Sequence, residues 1–301
     1  MLARAHAELG ALLLATGQFP SAREHYERAV DLFGTHPSRN SNLGYYATQH
    51  SPHALAAALA ILGYPLTALR KSQELLAARR LSSGPFPLAI ALLSDCVRHM
   101  ALRDDRMVAQ RAEEILSIAA EHEMPFYSIA ATFYRGWARA AAGRAEEGIV
   151  EMRRSISDPM LAEAVSNAIR LVALAEACGK NGRVEEGLDW VAQGLATAEQ
   201  TGLRLAEAEL HRVKGELLMI KDPSNVLEGE HCLRTAIDVA RRQGAKFFEL
   251  RATVSLARLL KQRGETVEAR HMLAEIHNWF TEGFDLLDLK DAKALLDELA
   301  T

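Results

Sequence analysis

Disulfide chemistry is the first thing this sequence lacks. Its three cysteines, Cys96, Cys178 and Cys232, are an odd number, lie far apart, and each falls inside an apolar helical pattern. They read as small core residues, the common fate of free cysteine, and a reducing, cytoplasmic setting is expected. Long apolar runs are missing as well. The longest, Ala54 to Leu62, is about half of what a bilayer span requires. The apolar stretch Leu9–Ala15 is preceded by acidic Glu8, and the pattern of a basic head followed by a small-residue cleavage site is not met, so it does not read as a signal peptide. Nor does either charge dominate: 35 basic residues stand against 39 acidic ones, a net of −4. That balance gives no polybasic footprint for nucleic acid and no membrane-seeking stripe, so neither partner is expected. Aromatics are 6% of the chain while alanine and leucine abound, a composition suited to close helix packing.

What the chain has instead is a repeat. A small residue opens the second helix of each of seven hairpins: Ala22, Ala68, Ala109, Gly148, Gly187, Gly229 and Ala269, spaced 39 to 46 residues apart. A period in this range marks a solenoid, in which each unit buries its apolar face only against its neighbours. Twelve residues before the marker stand Gly10, Ala56, Gly136, Ala175 and Ala257, and seven after it Ala29, Leu75, Leu116, Ser155, Gly194, Ala236 and Ile276. Small residues at these offsets, with large apolar ones between, are the tetratricopeptide arrangement, and they mark where the helices of a unit cross. The expected fold is all-α: a tetratricopeptide-like α-solenoid, a right-handed superhelix of about seven hairpins, in one domain over residues 1–301. The hairpins are expected at 2–33, 50–83, 86–122, 125–157, 161–200, 203–243 and 246–280, with a capping helix at 288–300.

Turn residues divide the chain in the same way. Gly17, Gly63, Gly143, Gly182 and Gly264 each sit five residues before their marker and close the first helix of a pair. Asp104 takes that place in the third unit, and in the sixth Ser224 is expected to cap the helix after Lys221-Asp222-Pro223. The polar stretch Gly34–Pro52 reads as an ordered crossing loop or a distorted short helix. Leu289, Ala292, Leu295, Leu296 and Leu299 form the apolar stripe of the last helix, opposite Lys290, Asp291, Lys293, Asp297 and Glu298, as a solenoid cap requires. No such cap precedes Leu2. Upstream chain, or a second copy in a homodimer through this end, is expected to cover Leu2, Leu9, Leu12 and Leu13.

Chemistry-bearing constellations are sparse. Cys96 and His99 stand at i, i+3, His50 and His53 bracket Ser51-Pro52, and His271 and His277 are six apart. None has the second pair that a tetrahedral metal site needs, so no metal and no cofactor are expected. Glu146-Glu147 and Glu185-Glu186 open helices, where they complement the macrodipole; no catalytic residue is expected among them. The remaining candidate is the inner surface, lined in tetratricopeptide arrays by the first helix of each pair. The position after the small residue of that helix reads Ala11, Ala57, Arg98, Trp137, Glu176, Glu216 and Arg258, with His53, Arg212 and Arg251 near the turns. The expected partner-binding set is therefore His53, Arg98, Trp137, Glu176, Arg212, Glu216, Arg251 and Arg258. Charges of both signs beside one tryptophan suit a peptide that carries acidic and basic side chains around an apolar anchor. The plainer alternative is that the charges are solvated and Trp137 is core.

The ending Trp279-Phe280-Thr281-Glu282-Gly283-Phe284-Asp285, followed by Asp288-Leu289-Lys290-Asp291-Ala292-Lys293-Ala294-Leu295-Leu296, resembles that of a large bacterial signalling family. So do Leu62-Gly63-Tyr64-Pro65, Gly136-Trp137-Ala138, Ala208-Glu209-Leu210-His211-Arg212, Gly215-Glu216-Leu217-Leu218, Glu249-Leu250-Arg251-Ala252 and Leu256-Ala257-Arg258-Leu259. Members of that family join a class III adenylate/guanylate cyclase domain, or a winged-helix DNA-binding domain, to an AAA-type ATPase and a C-terminal tetratricopeptide array. The resemblance implies that this chain is the sensor or scaffold end. It departs from the catalytic parts of such proteins. Gly179-Lys180 has Leu174 where a phosphate loop needs its first glycine, and Asn181 follows where Ser or Thr belongs. No segment suits a cyclase fold or a winged helix.

The leading expectation is a non-catalytic protein–protein interaction scaffold in signalling, with a protein or peptide partner; the resemblance implies an ATPase or nucleotide cyclase. One alternative is a small-molecule-sensing repeat domain, for which Tyr45-Tyr46 and the cluster Phe126-Tyr127, Phe133-Tyr134 and Trp137 offer the aromatic lining. Another is the detached tail of a cyclase or ATPase, without activity of its own.

Overall fold

The computed structural model describes residues 1–35, 42–82, 84–162 and 167–300. They form two compact units: Met1–Ala60 with Pro65–Asn167, and Ile61–Tyr64 with Ala168–Thr301. The described elements are all helical, and the fold is an all-α, tetratricopeptide-like solenoid packing.

In the first unit the helices are α1 (Leu2–Ala15), α2 (Phe19–Thr35), α3 (Asn42–Ile61), α4 (Pro65–Ser82), α5 (Pro85–Ala101), α6 (Asp105–Glu121), α7 (Pro125–Ala141), α8 (Ala145–Ile156) and the single turn α9 (Pro159–Ala162). Helix α1 packs on α2, and from α4 to α8 each helix packs on the next, while α5 also lies on α7. In the second unit α10 (Asn167–Lys180), α11 (Val184–Thr201), α12 (Glu207–Lys221), α13 (Val226–Gln243), α14 (Lys246–Gln262), α15 (Thr266–Trp279) and α16 (Leu287–Glu298) follow the same plan. There α12 touches α14 and α14 touches α16, so first helices stack on first helices. Helix α16 closes this stack as a single helix. Leu289, Ala292, Leu295 and Leu299 are buried against α14 and α15, with Leu296 at the edge, and Lys290, Lys293, Asp297 and Glu298 lie outside.

The turns inside the hairpins repeat one hydrogen-bond pattern. At Gly143, φ is 89°, and the Arg144 N–H reaches back to the Arg139 carbonyl at 2.9 Å. This is the Schellman ending, in which a left-handed residue lets the chain satisfy the last open carbonyls of the helix. In the third hairpin the left-handed residue is Arg103, φ 61°, not Asp104. Asp104 is the N-cap of α6 instead, its carboxylate accepting the Met107 N–H at 3.1 Å. The marker of that hairpin moves with the turn: Val108 is fully buried, whereas Ala109 is only half-buried.

Two further expectations are corrected. Asp222, not Ser224, makes the polar cap in the sixth hairpin, accepting the Ser224 N–H at 2.8 Å at the head of a 3₁₀ turn, Pro223–Asn225. The stretch Gly34–Pro52 is helix from Asn42 onward, with Pro52 inside α3; residues 36–41 lie outside the described residues.

The small positions do mark helix crossings. A Cβ on Gly136 of α7 would stand 2.7 Å from the Gly148 carbonyl oxygen of α8, and one on Gly215 of α12 would stand 2.7 Å from the Gly229 oxygen of α13. Backbone meets backbone at both places, which only glycine permits. Cys96, Cys178 and Cys232 are buried and free, and burial pushes the Cys96 and Cys232 thiols up. No described helix is long and apolar enough to cross a membrane.

Candidate functional site

In the second unit the first helices of successive hairpins present a ladder of charges. Arg212 on α12 is the hub. Its Nε and Nη2 each donate to one oxygen of buried Glu209 at 2.9 Å, and its Nη1 donates to both oxygens of Glu216 at 3.1 Å. Nη2 also donates to Glu176 on α10. Glu209 is shared with Arg251 of α14, 3.3 Å away, and Arg251 reaches Asp288 of α16 at 3.0 Å. The Arg251 guanidinium lies over the Phe247 ring, 4.9 Å from its centroid. Ser255 donates to Glu216.

Burial would raise the Glu176 carboxyl, but Arg212 overrides it and holds the group down at about 2. The same carboxylates raise Arg212 and Arg251 above the usual arginine range against the opposing pull of burial. Four expected site residues, Glu176, Arg212, Glu216 and Arg251, are thus brought into one network. Arg258 stands apart: its side chain is 55% exposed, with Asp291 at 3.9 Å.

In the first unit, expected residues His53 (α3) and Arg98 (α5) also meet, and both are buried. Arg98 Nη1 donates to the His53 carbonyl at a long 3.5 Å. Next to Arg98 on the same helix, Asp95 is fully enclosed; it accepts Arg111 Nε of α6 at 2.8 Å and Ser72 Oγ of α4 at 3.2 Å. His99 lies between Asp95, 3.7 Å from its Nε2, and Asp104, 3.1 Å from its Nδ1. Desolvation lowers His53 to about 3, with Arg98, His50 and Arg79 adding to the effect, and desolvation lowers Arg98 to about 10.

Trp137 is half-buried on α7. Much of the aromatic cluster offered as a metabolite lining is packed in the interior. Phe133 and Tyr134 are core residues with ring centroids 5.5 Å apart, and Tyr127 is buried between Phe126 and Phe86. The side chains of Tyr45 and Tyr46 lie outside the described residues.

Sequence reasoning missed Glu209, Asp288 and Ser255 in the ladder and Asp95 beside Arg98. Glu209 alone carried a signal, standing three residues before Arg212 on the same helix face.

Residues 3–36 match the family model described as tetratricopeptide repeat. No curated protein matches the chain. Among solved structures, the Rap conjugation gene regulator of the plasmid pLS20, in complex with the Phr* peptide, is similar with a TM-score of 0.64 at 12% identity, over 97% of this chain and 72% of that one. The apo form of RapI is similar at 0.55 and 8% identity, over 99% of this chain and 100% of its own. Aspartyl phosphate phosphatase F from Bacillus subtilis is similar at 0.55 and 11% identity, over 94% and 70%. At such identities the likeness is one of fold.

Proposed function

We propose that this chain is a non-catalytic interaction module that holds a protein or peptide segment against the first helices of its hairpins. The observation that carries this reading is a pair of partly open carboxylates, Glu176 and Glu216, in the ladder of the second unit. Two guanidinium groups, Arg212 and Arg251, serve four carboxylates, Glu176, Glu209, Glu216 and Asp288. Glu176 and Glu216 keep 27% and 35% of their side chains open to solvent. Partly open carboxylates on one face can accept a further charge-assisted hydrogen bond from a lysine or arginine of a partner.

The repeat fold supports this reading, since arrays of helical hairpins expose long surfaces on which extended segments lie. So does the solved regulator of similar fold that holds a peptide. An ATPase or nucleotide cyclase is the partner that the C-terminal resemblance implies, engaged in trans. Homodimerisation through the first hairpin is a separate proposal, resting on the exposure of Leu2, Leu9 and Leu12.

The test is a panel of immobilised ten-residue peptides, graded in lysine and arginine content, offered to the full chain and to a Glu176→Gln/Glu216→Gln variant. Binding that rises with basic content, weakens with salt and drops about tenfold in the variant is expected. Equal binding by both proteins, or none by either, overturns the reading.

A further inference from the structure

We propose that Arg98 and His53 form a binding site for one carboxylate group, seated on the Nε/Nη2 edge of the Arg98 guanidinium in the first unit. No residue of this site belongs to the acidic ladder, so it is independent of the reading above.

The geometry begins with Arg98 itself. The residue is 4% exposed, yet its Nε and Nη2 have no hydrogen-bond partner among the described residues. These two N–H groups point the same way from one edge of the planar guanidinium, and that edge is the fork a carboxylate bridges with both its oxygens. Arg212 in the second unit displays the filled arrangement: the same two nitrogens hold the two oxygens of Glu209. At Arg98 the fork is made and nothing described fills it.

His53 adds to the same want. Both of its ring nitrogens are buried without a partner among the described residues, and so is Nε of Arg79 on α4. Buried polar groups in native proteins are almost always paired, so three side chains from α3, α4 and α5 left wanting in one place call for an explanation. Arg79, half-buried, marks the side of the cluster nearest solvent.

Charge decides what the site takes. A buried guanidinium favours a directly bound counter-ion, because a charge in the interior is destabilising unless it is paired and hydrogen-bonded. Among the described residues, none is hydrogen-bonded to the Nε/Nη2 edge. The neighbouring Asp95 carboxylate favours the charged guanidinium through space, but its oxygens are hydrogen-bonded to Arg111 and Ser72, not to Arg98. Between Asp31 and Glu74 the sequence contains no Asp or Glu, so α3 and the stretch leading into it bring no carboxylate at all. His53 is neutral at pH 7, since burial and the neighbouring cations lower it to about 3. It supplies a hydrogen bond rather than a second charge. One planar, singly charged anion matches a single fork-shaped cation beside a neutral histidine, whereas a dianionic phosphate would bring a second charge with no second buried cation in the cluster to meet it. The carboxylate belongs either to a free small acid or to an acidic peptide.

Two probes distinguish those sources, and both are offered to the full chain. Thermal unfolding is followed as acetate replaces chloride at constant ionic strength, with inorganic phosphate as the comparison anion. In parallel, ten-residue peptides that each contain one Glu are compared with their Gln counterparts. A saturable rise in Tm with acetate, or a preference for Glu over Gln peptides, is expected, as is a loss of about tenfold or more in Arg98→Lys, which keeps the charge but not the fork. In Arg98→Met the response disappears, while Tm in chloride stays equal or rises because an unpaired charge has left the interior. A response to acetate alone identifies a free acid, and one confined to Glu peptides identifies a peptide; either supports the site. Stronger stabilisation by phosphate than by acetate overturns the proposal. So does a response unchanged in both Arg98 variants, or the absence of any response to acetate and Glu peptides alike. Should both Arg98 variants fail to fold, His53→Ala replaces them, with the same tenfold loss expected and an unchanged response overturning the proposal.

Discussion

Arg212 and Glu209 stand one turn apart on α12, both buried, with two hydrogen bonds of 2.9 Å joining the edge of the guanidinium to the two carboxylate oxygens. Each then reaches outward to a different helix, Arg212 to Glu176 on α10 and Glu209 to Arg251 on α14. The pair therefore ties three successive first helices together from the middle one.

Removing one side of it should be expensive. Arg212→Met leaves buried Glu209 with only the 3.3 Å bond from Arg251 and frees Glu176 and Glu216, and a loss of about 3 kcal/mol is expected by urea unfolding, the low end of the range for a buried pair broken on one side. Arg258→Ala, on an exposed side chain 3.9 Å from its nearest carboxylate, should leave stability within about 0.5 kcal/mol. Equal effects of the two would refute the network as the source of stability.

Glycine at the crossings is a second handle. Gly148→Ala forces a methyl group into the Gly136 carbonyl and the Ala140 backbone, and Gly215→Ala into Gly229. Each is expected to cost about 1–3 kcal/mol through overpacking. Gly143→Ala, where nothing lies within 4 Å but φ is 89°, should cost only the conformational penalty of about 1 kcal/mol. The ordering of the three, read from denaturant midpoints, checks the crossing geometry.

Acid should act on the ladder through Glu176. Its folded value of about 2 lies below the ordinary 4.5, so its contribution is complete above pH 4.5 and is lost as pH falls from there towards 2. The loss is on the order of 2 kcal/mol, given its partial exposure. Glu176→Gln should flatten stability across that window; an unchanged acid limb would show that Arg212 does not hold the group down.

His53 should act over a different range. Burial first, then Arg98, His50 and Arg79, keep it neutral down to about pH 3, while the unfolded chain takes up a proton near 6.5. The unfolded state binds more protons between those values, so stability falls as pH drops from 6.5, by up to about 1.4 kcal/mol per pH unit. His50, lowered by burial to about 4, adds to the same slope. The slope should lessen in His53→Asn, measured by unfolding at pH 7 and pH 5.

Thiol reagents offer a fifth check. With Cys96, Cys178 and Cys232 buried, the native chain should react with a thiol-specific dye only as fast as it opens, and all three should react at once in urea.

The sequence carried the repeat clearly because two physical demands are local. A left-handed turn favours glycine, so Gly17, Gly143 and Gly264 announced themselves, and a backbone crossing admits only small residues, so Gly148 and Gly229 did too. The third hairpin escaped because Arg103 takes the left-handed turn without being glycine. Its register was read one residue late, and the crossing residue is Cys96, whose Sγ meets the Val108 carbonyl at 4.0 Å. By that correction the position after the small residue falls on Val97, and Arg98 turns into the interior. The ladder was half legible. Which residues lie on first helices follows from the period, but the bonds from Arg212 to Glu176 and from Arg251 to Glu209 and Asp288 span roughly a full repeat, and only the stacking of hairpins decides them.

Where α7 crosses α8, Gly136 and Gly148 bring the two backbones into direct contact, with only the Cβ atoms of Ala140 and Glu151 beside them. Two helices that meet backbone to backbone can neither slide nor roll past one another without a collision, since there is no rotamer to give way. A larger side chain at either glycine would have to push the two helices apart before it could be accommodated, so the spacing of this hairpin is set by the backbones themselves.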